Sequence, residues 1–332
     1  MINIGTIGYR TNTGLGYQAL SYTKHLPISK VMVVDLQKEN GIPLNYWHEG
    51  AQTVQGYPKP RDIKQFLDGL DVVLLAETPL NHQLYTLARN RNIKTVTVVN
   101  PEFYDHIMYP HLPMPDVIIL PSVWKMDEIC SHAEPLGAKV YQLHHPVDRD
   151  DFPFVKRIAA KTMHIAGKPA AHDRNGTTQY MLSTDKQVVT TQDEAYARNL
   201  RSRYRNSRVY SNIENAADMY KKGDILVLPR KYGGNCLPLN EALSSGMPVI
   251  MPDIEPNNAL LPREWLVPAK KVGEFHPRIK VDLYEVDPRD LALKYQWFNE
   301  QSMELQSEIA NAIANKISWP IMKRKYMEVL EA

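Results

Sequence analysis

DILVLPRKYGGNCLPLNEALSSGMPVIMPD, residues 224–253, is the stretch that decides how this 332-residue chain is read. Its apolar run Ile225-Leu226-Val227-Leu228 ends at Pro229 and predicts a buried strand. The loop that follows carries two cations and two glycines, Arg230, Lys231, Gly233 and Gly234. Pro238 stands where a helix opens, Glu241-Ala242-Leu243 continue it, and Gly246 ends it. Val249 and Ile250 then begin another strand. Strand, glycine loop, helix amino end and strand is how α/β proteins hold phosphates. Backbone N–H groups and the helix dipole face the anion, and glycine lets it come close.

Outward from this stretch the plan repeats. Toward the amino end, Ile2 to Gly8, Val31 to Asp35, Asp71 to Ala76, Thr95 to Val99, Val117 to Leu120 and Val140 to Leu143 read as strands. Helical patterns lie between them, as at Tyr17 to Leu26 and around His82 to Asn90. The second half adds strands at Thr162 to Ala166, Gln187 to Thr190 and Arg208 to Tyr210. Near-continuous apolar strands alternating with helices predict parallel sheets covered on both faces. Residues 144–153, HHPVDRDDFP, are charged, hold two prolines and read as the linker between the halves.

The decisive stretch resembles the nucleotide-binding signature of GT-B glycosyltransferases of the GT4 type, in which two Glu residues frame a Gly-x-Gly-Leu-Pro core. Leu237-Pro238, Glu241-Ala242 and Ser245-Gly246-Met247-Pro248-Val249-Ile250 match it, and Gly234 and Asn235 fall inside the core. Pro146-Val147-Asp148 with Phe152, and Ser318-Trp319, resemble two further passages of that family. The resemblance is patchy before Pro121 and good from about Pro146 onward. It implies a GT-B fold: two Rossmann-like domains whose parallel sheets face each other across a cleft. The expected boundaries are 1–147 for the acceptor-side domain and 148–310 for the nucleotide-sugar domain. Residues 311–332 are expected as a helix crossing back to the first domain.

The resemblance also implies roles. Glu241 accepts hydrogen bonds from the donor's ribose hydroxyls. Gly233 stands where the family has its first Glu, which touches the transferred sugar, so the sugar is left open. Gly167-Lys168, followed by Arg174-Asn175-Gly176, resembles the family's cation pair with Lys and Arg exchanged, and assigns Lys168 and Arg174 to the leaving diphosphate. Read without the family, the same residues make a solvated turn with two surface cations. Gly14 and Gly16 follow the first strand and are expected in a loop facing the donor's phosphates, although a lone Gly-x-Gly is a weak signal. Arg10 and Asn12 precede that loop. Ser211 and Asn212 follow a strand end where the family rests its base, and a uridine nucleotide is expected from frequency alone. Glu77 and Glu102 follow strand ends of the first half and are candidates for holding or deprotonating an acceptor hydroxyl. Helix capping by Thr78 and Asn100 is the competing reading. His172 lies inside the phosphate loop, as a phosphate donor or as part of the turn. Family members retain anomeric configuration without a protein nucleophile. With no Asp-x-Asp at a strand end, no metal requirement is expected.

Composition bounds the rest. A net charge of +2 neither requires nor excludes nucleic acid. No run of eighteen apolar residues predicts a membrane span, and MINIGTIGYR lacks a signal peptide's apolar core. Cys130 and Cys236 have no metal spacing, so the chain reads as cytoplasmic and reduced. Arg198, Arg201, Arg203, Arg205 and Arg208, interleaved with Tyr196, Tyr204 and Tyr210, read either as a solvated helix face or as contacts for nucleic-acid phosphates. The wording of residues 172–176, 232–238 and 247–253 resembles compact glycosyltransferases of tailed bacteriophages. That resemblance implies hydroxymethylated pyrimidine in phage double-stranded DNA as the lead acceptor, with virion protein or a small molecule as the alternative. A non-catalytic nucleotide-sugar-binding protein and a nucleotide-sugar epimerase remain open. Oligomeric state is not legible.

Overall fold

The computed structural model describes residues 2–9, 11, 13–36, 50–211 and 213–332. They divide into two compact units. Unit 1 comprises Met1–His144, Pro277–Ile279 and Pro320–Ala332, and unit 2 comprises His145–His276 and Lys280–Trp319.

Unit 1 is built on a seven-stranded parallel sheet in the order β3-β2-β1-β4-β5-β6-β7. Its elements begin with β1 (Ile4–Tyr9), α1 (Gly14–His25), β2 (Ile28–Asp35), β3 (Gln52–Gln55) and α2 (Pro60–Leu67). They continue with β4 (Val72–Ala76), α3 (Gln83–Arg89), β5 (Lys94–Val98), β6 (Val117–Leu120), α4 (Met126–Ala133) and β7 (Lys139–Gln142). The central strands are unbroken apolar runs because helices cover both faces. Val72, Val73, Leu74 and Leu75 of β4 are all buried, as are the four residues of β6. Ile63, Phe66 and Leu67 of α2 and Leu84, Tyr85 and Ala88 of α3 share one cluster with Ile7, Met32, Val73 and Leu75. α2 opens on Pro60, and the Lys59 amide donates to the Asp62 carboxylate (2.9 Å), which holds its first turn.

Unit 2 carries a six-stranded parallel sheet in the order β10-β9-β8-β11-β12-β13. It runs β8 (Thr162–Ile165), α5 (Thr177–Ser183), β9 (Val188–Thr190), α6 (Glu194–Arg203), β10 (Arg208–Tyr210), β11 (Ile225–Val227) and α7 (Leu237–Ser244). Then come β12 (Val249–Pro252), α8 (Asn257–Leu260), β13 (Leu266–Val267), the antiparallel hairpin β14 (Ala269–Phe275) and β15 (Val281–Val286), α9 (Pro288–Asn299) and α10 (Met303–Lys316). The expected class, two α/β domains on parallel sheets, is what the chain forms.

The last helix, α11, spans Trp319–Glu331, so residue 311 falls inside α10 rather than at a helix start. The break has a local cause. Ser318 leaves the helix to pair with Val147 as an isolated parallel bridge, and Pro320 fits only a first helical turn. α11 belongs to unit 1 from Pro320 onward. There the Tyr326 ring lies 6.0 Å from that of Tyr22, and Lys94 Nζ donates to the Val329 carbonyl (2.6 Å).

In each sheet the strand order reverses once, between β1 and β4 and between β8 and β11. Loops leaving the carboxyl ends of such neighbours part to opposite faces, and ligands of open α/β sheets bind there.

Candidate functional site

The switch point of unit 2 gathers the motif residues. The loop after β8 carries Gly167, Lys168 and Arg174, and the loop after β11 carries Pro229 to Cys236. They are stitched together. Lys231 N donates to the Arg174 carbonyl (2.9 Å), Arg174 Nη2 donates to the Gly233 carbonyl (3.3 Å), and the Arg174 guanidinium lies over the Tyr232 ring at 4.7 Å. Gly176 has φ +68°, and a Cβ there would stand 2.0 Å from the Pro229 carbonyl oxygen, so only glycine permits this approach. Beneath the loops, His164 Nδ1 donates to the Val227 carbonyl (2.8 Å) and its Nε2 takes the Thr177 hydroxyl (3.0 Å). Burial holds the His164 pKa down at about 4, so the ring is neutral and Nε2 is the acceptor. Lys168 is exposed, and Gly234 has φ +94°.

The two helices that open at this point end differently. Asp173 Oδ1 and Oδ2 accept from the Thr177 and Thr178 amides (3.0 and 2.9 Å), so a carboxylate already occupies the amino end of α5. α7 opens at Cys236-Leu237-Pro238 with no side-chain cap bond and no acidic residue in its first turn. Asn235 lies just before it, partly exposed. His172 has φ 60° and an exposed ring 5.0 Å from Phe275, at the edge of the loop.

Glu241 lies one turn into α7. Burial pushes its carboxyl up to about 7, while the Tyr220 hydroxyl donates to it and opposes the rise. Tyr220 is itself 1% exposed, and burial beside Glu241 drives its phenol well above the usual range. Neither Tyr220 nor the buried Arg230 was singled out as a candidate from the sequence. A loop cation looks solvated in sequence, and the tyrosine lies twenty-one residues upstream of its partner. The hairpin was also missed: Lys231 Nζ pairs with Glu285, and Phe275 packs on Tyr232 at 5.0 Å.

Other expectations are redistributed. Gly14 and Gly16 sit within α1, not in a loop before it. Gly16 is there because a Cβ would meet the Thr11 carbonyl oxygen at 1.8 Å, so its smallness packs the first turn onto the loop. Ser211 is committed to fastening β10 to α6. It donates to Glu194 and accepts from Arg201 Nη2 (3.1 Å), while Arg201 also reaches the Val209 carbonyl (3.0 Å). Asn212, Arg10 and Asn12 lie outside the described residues.

In unit 1, Glu77 follows β4 with φ 66°, a strained conformation for a non-glycine residue. Asn100, after β5, spends its amide on Glu77 Oε1 (2.7 Å) rather than on a helix cap. Glu77 lines a small, open depression with His82, Tyr85, Phe103, Asp105 and His106. Burial lowers the pKa of both His82 and His106, and His82 Nε2 lies 3.7 Å from Asp105 Oδ2. Arg278, also of unit 1, pairs with Asp105 (2.5 Å). Glu102 is 2% exposed and does not line the depression. Among the described residues no His/Cys/Asp/Glu group that could hold a metal ion occurs, and no helix is long and apolar enough to cross a membrane.

No protein-family model and no curated protein matches the chain. Solved structures do. A glycosyltransferase from Rickettsia africae aligns over 99% of this chain and 98% of its own, at 13% identity and TM-score 0.67. HepE of Anabaena, in complexes with UDP and with UDP-glucose, aligns over 100% of both chains at 10% identity and TM-score 0.68. Sucrose-phosphate synthase from Thermosynechococcus elongatus aligns over 99% and 98%, at 13% identity and TM-score 0.67. The chain has the fold of these glycosyltransferases.

Proposed function

We propose that the chain is a glycosyltransferase that moves a sugar from a nucleoside-diphosphate sugar to an acceptor hydroxyl. The observation that carries this reading is the stitched pair of loops at the β8/β11 switch point. They hold Arg174 against the Gly233-Gly234 turn just ahead of α7, and in this reading Lys168, Asn235, Leu237 and Glu241 complete the donor site with them. Cations and a helix amino end at a glycine loop suit a diphosphate. The UDP and UDP-glucose complexes of HepE, which shares the fold, favour a uridine nucleotide.

In this reading unit 2, from about residue 148, holds the donor and unit 1 holds the acceptor. Lys168 and Arg174 neutralise charge as the bond between the anomeric carbon and the β-phosphate oxygen breaks. The acceptor oxygen bonds to the anomeric carbon on the same face, and its proton passes to the departing phosphate oxygen. Configuration is retained and no protein nucleophile is needed. Glu241 accepts from the ribose hydroxyls.

The depression at Glu77 is the candidate acceptor site. Its carboxylates, neutral imidazoles and aromatic rings suit a neutral hydroxyl on a ring. Hydroxymethylated pyrimidine in phage DNA fits that description and is the lead acceptor. A sugar or protein hydroxyl is the alternative. Arg198, Arg205 and Arg208 are exposed and available to a polyanion, whereas Arg201 is engaged internally.

The test is mass analysis of nucleosides after hydroxymethylpyrimidine DNA is incubated with the protein and a pool of UDP-sugars. A hexose or pentose increment with release of UDP is expected. Free UDP formed only with a sugar or protein acceptor moves the acceptor. Sugar nucleotides left intact with every acceptor would sink the transferase reading.

A further inference from the structure

Two arginines of unit 2 are equally buried, each 6% exposed, and they are treated oppositely by their surroundings. Arg157 is fully employed: Nε and Nη2 donate to the Ser245 carbonyl (3.2 and 2.7 Å), and Nη1 donates to those of Tyr220 and Gly223 (3.0 and 3.2 Å). Arg230 makes one long bond, Nη2 to the Gly233 carbonyl (3.4 Å), and its Nε is buried without a partner. No carboxylate pairs with Arg230 among the described residues. A guanidinium this buried, with Nε shut away from both solvent and partners, is costly unless something absent satisfies it.

Its surroundings indicate what that is. Arg174 Nη2 also donates to the Gly233 carbonyl (3.3 Å), so two guanidinium groups converge on one oxygen. Like charges this close repel unless an anion lies between them. The neighbouring helix α7 adds the positive end of its dipole with no acidic side chain in its first turn, whereas α5 is already capped by Asp173. Position 233 is glycine, so no side chain fills the turn.

We propose that Arg230 and Arg174 form an oxyanion seat at the Gly233 turn that takes phosphoryl or carboxylate oxygens of the donor. The assignment rests on the nucleotide-sugar reading above and adds Arg230 to the groups that hold the substrate. The oxyanion comes either from the terminal phosphate of the nucleotide or from an acidic sugar such as a uronic acid.

Calorimetric titration of the whole chain and of Arg230→Gln and Arg230→Lys with pyrophosphate, UDP, UDP-glucose and UDP-glucuronate tests it. Loss of a charge-assisted bond predicts about tenfold or greater weakening in Arg230→Gln, partly recovered in Arg230→Lys. Equal weakening for pyrophosphate, UDP and both sugar nucleotides assigns the seat to the phosphate. Weakening confined to UDP-glucuronate assigns it to a sugar carboxylate. Ligand-free Arg230→Gln is expected to melt at or above the parent temperature, because an unpaired buried charge has been removed. Unchanged affinities for all four probes, with or without a lower melting temperature, would overturn the seat while leaving nucleotide binding intact. Arg230-dependent pyrophosphate binding without binding of UDP or either sugar nucleotide would keep the seat and overturn the transferase reading. Binding of none of the probes overturns both.

Discussion

Glu241 shows how one residue links burial to binding. Its carboxyl is raised to about 7 by desolvation, with the Tyr220 hydroxyl its hydrogen-bond donor. A carboxyl raised in the folded state stabilises fully below its unfolded value near 4.5, and that contribution is lost as pH rises toward 7. Ribose hydroxyls donating to the same carboxylate favour its ionised form, so donor binding opposes the effect of burial. UDP affinity is therefore expected to rise between pH 5.5 and 7.5, with proton uptake by the buffer on binding near pH 6.5. Titrations in buffers of different ionisation enthalpy measure this directly. Glu241→Gln should bind more weakly and keep only the pH dependence that ionisation of UDP's terminal phosphate, at pH ~6, supplies. A pH-independent UDP affinity in the parent protein would separate Glu241 from the ribose. Lys168 makes a simpler case: exposed at the loop, it is expected to contribute mainly as a charge. Lys168→Ala should lower donor turnover about tenfold or more, read as the rate of UDP release, while leaving urea stability within about 0.5 kcal/mol.

At the scale of elements, the loop pair after β8 and β11 stands or falls on Gly176. An alanine there meets both a left-handed backbone and the Pro229 carbonyl. Gly176→Ala is expected to cost about 2 kcal/mol or more in urea unfolding and to weaken UDP binding by parting the loops. A variant of parental stability would mean that the two loops are not held by this contact. The strands flanking these loops were legible because Ile225-Leu226-Val227 and Thr162-Met163-His164-Ile165 are short apolar runs bounded by turn residues. The amino end of α1 was not, since Gly14 and Gly16 have poor helix propensity and only packing against Thr11 explains them. The hairpin escaped for a related reason. β14, Ala269–Phe275, is exposed or half-buried throughout and carries three charged residues, so it lacks the apolar run that marked the other strands. Glu77 and Glu102 looked alike in sequence, each just past a strand end. Burial alone separates them, and burial belongs to the assembled unit. Arg230 was hidden by the same limit, because composition marks it as a surface residue and only the closed loop desolvates it.

At the scale of the whole molecule both units carry buried histidines, but only one depends on a distant segment of the chain. Unit 2 holds His145 and His164, both pushed down to about 4 by burial. Groups kept neutral in the fold contribute stability that is present above pH 6.5 and lost as pH falls through 4. Each forfeits up to about 3 kcal/mol across that window, and Glu241 offsets part of this loss. His82 and His106, also lowered by burial, weaken unit 1 in the same direction, so acid should loosen both units. Unit 1 depends on the end of the chain. Met322, Tyr326, Val329 and Leu330 of α11 are buried in it, beside Tyr22 and the Lys94 bond to Val329. Four such side chains are worth about 6–12 kcal/mol of apolar burial, comparable to the whole stability of a domain. Deleting residues 320–332 is therefore expected to unfold the amino-terminal unit, although the cut lies nearly two hundred residues away in sequence. Limited proteolysis reads it out: cleavage should appear within residues 1–144 while fragments from 145–319 persist. Hydrogen exchange should show the same polarity, with protection lost first in β5 around Lys94. Equal protection of both units in the truncated chain would show that unit 1 is complete without α11.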